Sequence, residues 1–195
     1  MLTLYHAPLS RSSRVLWLLE ELGASYDVAY IDIVRQSGEG RQDPANPNLL
    51  KQAPTLKDGE AMIHESVVIF IHLVDSFPAA GLAPAPGAPD RAAFMAWMGL
   101  YNAILEPVVT ANFRGAPTPV QVEAYAALDG VWRGALEKGP YLMGENFSAA
   151  DILFGSLLMW FRTAMPDHKD YDDWIARLAS RPALARARLR EHPPK

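Results

Sequence analysis

The chain has no cysteine among its 195 residues. That excludes disulfides, thiolate metal sites and any nucleophile of thiol type supplied by the protein itself. Histidine is sparse. His6, His64, His72, His168 and His192 share no helical face and no ligand spacing, so no metal is expected. There is no G-x-G-x-x-G loop, no P-loop and no G-x-S-x-G elbow. Positive charge is in the minority, 18 Lys+Arg against 22 Asp+Glu, for a net −4. No nucleic acid and no anionic membrane is therefore expected as a partner. The late cluster Arg177, Arg181, Arg186, Arg188 and Arg190 falls at mixed helical phases near Glu191, which reads as a solvated helix face. The longest apolar run of the second half, near residues 152–161, is too short to span a bilayer. The opening MLTLYHAPLS lacks the basic start and apolar core of a signal peptide, so a cytoplasmic protein is expected.

What is present is apolar material in quantity. Half the residues are hydrophobic, enough for a sizeable core in one large or two small domains. Residues 1–5 read as a strand and 14–22 as a helix, with Val15, Leu18, Leu19 and Leu22 on one stripe. Gly23 sits where a C′ glycine belongs. Residues 26–33 read as a second strand, which makes a βαβ unit with parallel strands. A polar, breaker-rich loop over 35–48 follows. Then come two strands joined at Asp58-Gly59, a pair suited to a two-residue hairpin, and a helix opening on Glu65-Ser66. The Pro, Ala and Gly run over 78–89 has no amphipathic period and reads as a linker.

Beyond the linker the pattern is helical. Asp90 can cap a helix through Trp97 and Tyr101, which Pro107 should end or kink. Thr118 to Gln121 is a capping box with proline at the first helical position, for a helix running to Lys138. Ser148 and Asp151 form a second box, flanked by Phe147 and Ile152 as a hydrophobic staple.

Two places carry chemistry. Ala53-Pro54 precedes a strand, and in the cis form the backbone N–H and C=O of Ala53 would turn outward, where an extended peptide can pair with them. Glu65 and Ser66 fall at a helix N-terminus, where amides and a hydroxyl favour a carboxylate while the Glu65 anion can hold an ammonium. That corner suits a small peptide with a free amino acid end. The other place is Ser10 to Arg14, at the mouth of the first helix. Serines there can cap orphan amides, or donate to an anion such as a thiolate. A free thiol titrates near about 8.5, and a donor with a helix dipole lowers that value.

These segments resemble those of glutathione transferases. HAPLSRSSRVLWLLEELG resembles the opening of serine-type bacterial members. QAPTLKDGEAMIHES resembles the X-Pro and Glu/Asp-Ser part of their thioredoxin-like domain. YLMGENFSAADILFGSLL resembles the start of the buried central helix of their helical domain. The resemblance implies an α/β thioredoxin-like domain over 1–77, the linker 78–89 and an all-α helical-bundle domain over 90–195. It implies glutathione as co-substrate, held by Gln52, Ala53, Pro54, Glu65 and Ser66. Ser10 is the choice for contact with its sulfur, with Ser12 and Tyr5 as rivals. Arg41 and Lys51 are candidates for its glycine carboxylate. An apolar electrophile would be the second substrate, with Tyr101 and Phe113 as candidate contacts and Trp97, Trp160 and Phe161 nearby. A homodimer is also implied. A glutathione-dependent isomerase or lyase, or a non-catalytic binding protein of this fold, remains an alternative.

Overall fold

A computed structural model describes residues 1–162 and 168–194. They form two compact units: Met1–Ala80 joined by the chain from Arg181 onward, and Gly81–Ser180. Residues from Arg181 onward pack with the first unit.

Unit 1 is built on a sheet of order β2-β1-β3-β4. β1 (Leu2–His6) is parallel to β2 (Tyr26–Tyr30) and antiparallel to β3 (Thr55–Asp58), which pairs antiparallel with β4 (Ala61–His64). Leu2, Leu4 and His6 alternate onto the buried face of β1. α1 (Ser13–Glu21) and α2 (Ser66–Ser76) bury Val15, Leu16, Leu18, Leu19, Ile69, Phe70 and Leu73 in the same unit. Each such side chain contributes about 1.5–3 kcal/mol when fully buried. α1 ends as the sequence indicates: Gly23 has φ +62°, Ala24 N–H bonds Leu19 C=O and Gly23 N–H bonds Glu20 C=O, a Schellman closure.

Two local expectations need correction. β2 stops at Tyr30, short of residue 33, because its partner β1 ends at His6. Beyond it the backbone bonds to carboxylates instead, Asp32 N–H to Asp43 and Ile33 N–H to Asp32. The hairpin turn is Gly59-Glu60, since Asp58 still pairs with Ala61; Gly59, at φ +57°, supplies the left-handed residue.

The late arginines are only in part a solvated face: Arg186 and Arg188 are exposed, yet Arg181, Arg186 and Arg190 take partners within the first unit. α8 (Pro182–Leu189) packs along α1. Arg181 forms a two-pronged pair with Glu21, at 2.5 and 2.8 Å, and Arg186 Nε lies 2.8 Å from Glu20. Arg190 stacks over Tyr26 at 4.1 Å. Glu20 and Glu21 oppose the negative end of the α1 dipole, and these cations offset that cost.

In unit 2, α3 (Arg91–Leu100), a π-helical turn (Tyr101–Leu105) and α4 (Glu106–Arg114) follow without a break. Pro107 neither ends the helix nor stands inside an α-helical ladder. The wide turn lets the chain pass a residue with no N–H to give, and Pro107 then sits in the first turn of α4. By length and composition this 24-residue stretch could cross a membrane. Its buried stripe of Phe94, Trp97, Met98, Tyr101, Leu105, Val108 and Val109 is that of a core helix.

α5 (Pro119–Leu136) begins with the expected box, Gln121 N–H to Thr118 Oγ1 at 3.3 Å and Thr118 N–H to Gln121 Oε1 at 2.9 Å. It ends two residues earlier than expected. α6 (Ala149–Phe161) is buried from Ala149 through Leu158. Phe154 meets Trp97, Tyr101 and Trp132 edge to face. Asp151 is wholly buried and accepts from Ser148 N–H and Oγ, Leu142 N–H and the Trp174 indole of α7 (Lys169–Ala179). Burial pushes its carboxyl up, and those donors offset only part of that rise.

Candidate functional site

Strand register brings three loops to one end of the sheet in unit 1. Tyr5 pairs with Thr55, and Thr55 with His64. The end of β1, the start of β3 and the end of β4 therefore coincide, and with them the mouth of α1, the Pro54 loop and the mouth of α2.

The α1 mouth is a closed network. Ser12 is wholly buried, and its Oγ lies 2.7 Å from His6 Nδ1, 2.7 Å from Ser10 Oγ, and 3.1 Å from both the N–H and the C=O of Ala7. His6 is also wholly buried, with Nε2 3.0 Å from the C=O of Glu191. A carbonyl only accepts, so Nε2 carries a hydrogen. Burial lowers the His6 pKa, against the raising influence of the Glu191 carbonyl and carboxylate, and keeps the ring neutral. Nδ1 is then an acceptor. Ser12 donates its single proton there, with Ala7 C=O as the more distant alternative. It accepts from Ala7 N–H and from Ser10. Ser10, 7% exposed, in turn accepts from Ser12 N–H at 3.2 Å.

Neither serine caps α1 with its side chain, contrary to the capping expectation; Ser12 is the N-cap residue but its hydroxyl turns back toward β1. The turn before it is braced from afar. Leu9, at φ +54°, donates its N–H to Glu191 Oε1 at 2.5 Å, and Ser13 Oγ donates to the same oxygen at 2.7 Å. Arg35 donates to the carbonyls of Pro8 and Leu9. Tyr5 is half-buried on the opposite sheet face from His6, by strand alternation, and so points away from this network.

The Ala53-Pro54 peptide bond is cis. Two asparagines shape the loop before it. Asn46 Nδ2 bonds Gln52 C=O, and Asn48 Oδ1 accepts from Leu50 and Gln52 N–H. Asn48 Nδ2 reaches Thr55 Oγ1 and, at 3.3 Å, His64 Nδ1. The Lys51 ammonium is engaged within the loop, 2.6 Å from Asn46 C=O, and Arg41 sits exposed 4.0 Å from Asp32. The Gln52 side chain is exposed. Neither N–H nor C=O of Ala53 takes a hydrogen bond among the described residues.

Glu65 holds φ +68° and ψ +129°, a conformation that costs a non-glycine residue of the order of 1–3 kcal/mol. Its exposed carboxylate has no partner among the described residues, and neither does the hydroxyl of the mostly buried Ser66.

The second-substrate candidates divide. Tyr101 is 1% exposed, with its hydroxyl bonded to Glu106 and its ring on Phe154. It is a core residue, which corrects the expectation. Phe113 is half exposed, its ring 4.4 Å from that of Phe161. A cavity of about 510 Å³ in unit 2 is lined by Asn102, Glu106, Thr110 and Arg114, a polar row at four-residue spacing, together with Gln121. Among the described residues no His, Asp or Glu cluster could hold a metal.

Sequence reading missed His6, Arg35, Glu191, Asn46 and Asn48. Only the asparagines left a local trace, as turn formers in a breaker-rich loop.

The chain as a whole is matched by known proteins. Residues 1–75 match the family model described as glutathione S-transferase, N-terminal domain, and residues 87–192 the corresponding C-terminal domain. The chain belongs to the glutathione S-transferase family. It is 26% identical to glutathione S-transferase 1 of Triticum aestivum, covering 93% of this chain and 90% of that one. It is 28% identical to the disulfide-bond oxidoreductase YfcG of Escherichia coli, over 97% and 95% of the two chains. A sphingomonad glutathione S-transferase complexed with glutathione superposes with TM-score 0.79 at 25% identity, over 97% of this chain and 98% of that one. The thioredoxin-like domain with its four-stranded mixed sheet and the all-helical domain are those of this family's fold.

Proposed function

We propose that the protein binds glutathione at the shared end of the sheet and directs its thiolate at an electrophilic carbon of a mostly apolar second substrate. The observation that carries the reading is the α2 mouth: a strained Glu65 and a mostly buried Ser66, both without partners among the described residues. Strain retained beside idle polar groups points to a ligand. Glu65 would hold the ammonium and Ser66 the carboxylate of the γ-glutamyl end, while Ala53 pairs with the peptide backbone and Pro54 and Gln52 flank it. Ser10 would donate to the sulfur. The protein supplies no covalent nucleophile; its gain lies in ionising and orienting a thiol. Phe113 remains a candidate contact for the second substrate.

Calorimetry with glutathione, then turnover on a panel of electrophiles with detection of the conjugate by mass spectrometry, tests this. Absence of binding sinks it. Binding without turnover favours a non-catalytic binding protein, and a rearranged product without conjugate favours an isomerase or lyase. Disulfide reduction is the competing activity, given the name of the Escherichia coli relative. A protein without cysteine forms no mixed disulfide of its own, so any reduction of a glutathionylated substrate above the rate of free glutathione would come from the bound glutathione thiolate itself. A homodimer is also proposed, and sedimentation at the 21.5 kDa of one chain would refute it.

A further inference from the structure

Four groups at the α1 mouth lie in a single file: Ser10 Oγ, Ser12 Oγ at 2.7 Å, His6 Nδ1 at a further 2.7 Å, and the Glu191 C=O 3.0 Å beyond Nε2. In the neutral ring every proton of the file points inward, Ser10 to Ser12 and Ser12 to His6. A Ser10 hydroxyl so directed has no hydrogen left for a sulfur anion. A proton on Nδ1 reverses the file. Nδ1–H then donates to Ser12, Ser12 to Ser10, and the Ser10 hydrogen faces outward.

We infer that His6 is the acceptor of the glutathione thiol proton, reached through Ser12 and Ser10, and that this transfer itself turns the Ser10 hydroxyl toward the thiolate. The inference rests on the reading that Ser10 contacts the sulfur. The S–H bond breaks and its proton bonds Ser10 Oγ. The former Ser10 proton moves to Ser12 Oγ, and the former Ser12 proton to Nδ1. The products are a thiolate and an imidazolium, one proton having moved in net. The cation discharges through the same file to the leaving group or to water.

The surroundings of His6 suit a ring that changes charge. Nε2–H keeps its carbonyl acceptor in both states. The Glu191 carboxylate lies 3.7 Å away, and its side chain is only 14% exposed. It favours the cation, while burial and the charge of His192 disfavour it. Tyr30, from β2, meets the His6 ring in a T-shaped contact at 5.8 Å between centroids, its hydroxyl spent on the carbonyls of Arg190 and His192. Without ligand the ring stays neutral, and a thiolate at the outer end of the file supplies the opposing charge. His6 touches no substrate; it positions and ionises through the serines.

Imidazole nitrogen NMR on the ¹⁵N-labelled full chain tests this in three states: free, with S-methylglutathione, which has no thiol proton, and with glutathione. His6 resonances are assigned by comparison with His6→Asn. The expected result is a neutral Nε2–H ring in the first two states and a doubly protonated ring with glutathione. In parallel, thiolate absorbance against pH should show the apparent thiol pKa raised by about one unit in His6→Asn. A smaller rise is expected in Glu191→Gln, which keeps the acceptor oxygens but removes the charge. A glutathione complex with an ionised sulfur and a neutral His6 overturns the relay while leaving the binding reading intact. Failure of both ligands to bind removes the binding reading, and the relay falls with it. Should His6→Asn not fold, asparagine variants of His64, His72, His168 and His192 assign those four rings, and the remaining resonances of the unsubstituted chain are those of His6.

Discussion

The mouths of α1 and α2 sit at the same end of one sheet and are opposites in construction. At α1, Ser10, Ser12, Ser13, His6 and the Leu9 amide all have partners within 3.2 Å, supplied from β1, the turn and the C-terminal segment. At α2, Glu65 is held in a strained conformation with its carboxylate idle, and the Ser66 hydroxyl is idle too. A closed network holds its heavy atoms in place for chemistry on a developing anion, so that only the protons along the file move when charge appears. Idle polar groups are what binding requires, since a ligand gains their full interaction. On the proposed function the two mouths divide the labour, ionisation at α1 and affinity at α2. That division can be broken by experiment.

The largest expected effect is at α1. Ser10 is the outermost hydroxyl of its network, so Ser10→Ala should lower turnover by about 10²-fold and raise the apparent thiol pKa, with little change in glutathione affinity. Thiolate absorbance against pH and steady-state kinetics read both. Ser12→Ala and Tyr5→Phe should do less to the thiol. Should Ser10→Ala be silent while one of them is not, the sulfur contact moves to that residue.

At α2 the sign of the split reverses. Glu65→Ala and Ser66→Ala should each weaken glutathione by roughly one to two decades, from the loss of a charged hydrogen bond of about 1.5–3 kcal/mol. The thiol pKa of whatever complex still forms should stay where it was. Calorimetry giving unchanged affinity in both variants would take the γ-glutamyl end away from this mouth.

How legible these mouths were in the sequence follows from the range of their contacts. The α2 mouth was readable because its parts are local: Glu65, Ser66 and the hairpin before them span a dozen residues. The Schellman end of α1 and the Thr118 box were readable for the same reason. The α1 mouth was half readable. Its serines stand in sequence beside the helix, but what directs them is Glu191, 185 positions from His6. No period or spacing encodes such a contact. The same blindness hid the partners of Arg181 and Arg186, because Glu21 and Glu20 lie some 160 residues earlier. Tyr101 was misjudged for a different reason. Aromatic residues at helical spacing look alike whether they line a cleft or a core, and only Phe154 and Glu106 across from it decide.

A smaller effect, on stability, should separate the two serines of α1. Ser12→Ala strips one buried oxygen from His6, Ala7 and Ser10 at once and leaves donors and an acceptor without partners. The cost should be about 1–3 kcal/mol of unfolding free energy. Ser10→Ala, at the open end of the file, leaves Ser12 to find a donor for its Oγ and an acceptor for its N–H, two groups of one residue, and should cost less. Urea denaturation followed by tryptophan fluorescence measures both. Equal costs would mean that Ser12 is not the hub of the network.

The smallest expected effect is the one whose direction is most telling. Glu65 at φ +68° and ψ +129° occupies a region open to glycine and closed to other residues without strain. Glu65→Gly removes that strain. It also removes a side chain that has no partner to lose among the described residues. Against this stands the greater backbone freedom of glycine in the unfolded chain, about 0.5–1 kcal/mol relative to alanine. The strain relieved is of the order of 1–3 kcal/mol, so the net change should be a gain of about 1 kcal/mol. The denaturant midpoint should rise while the slope stays constant. The same variant should lose glutathione affinity as Glu65→Ala does. Stability up and affinity down in one substitution is the signature of a residue kept in strain for a ligand. A Glu65→Gly chain that is both less stable and still able to bind would show that the strained conformation serves the fold, and the contrast between the two mouths would then be one of packing alone.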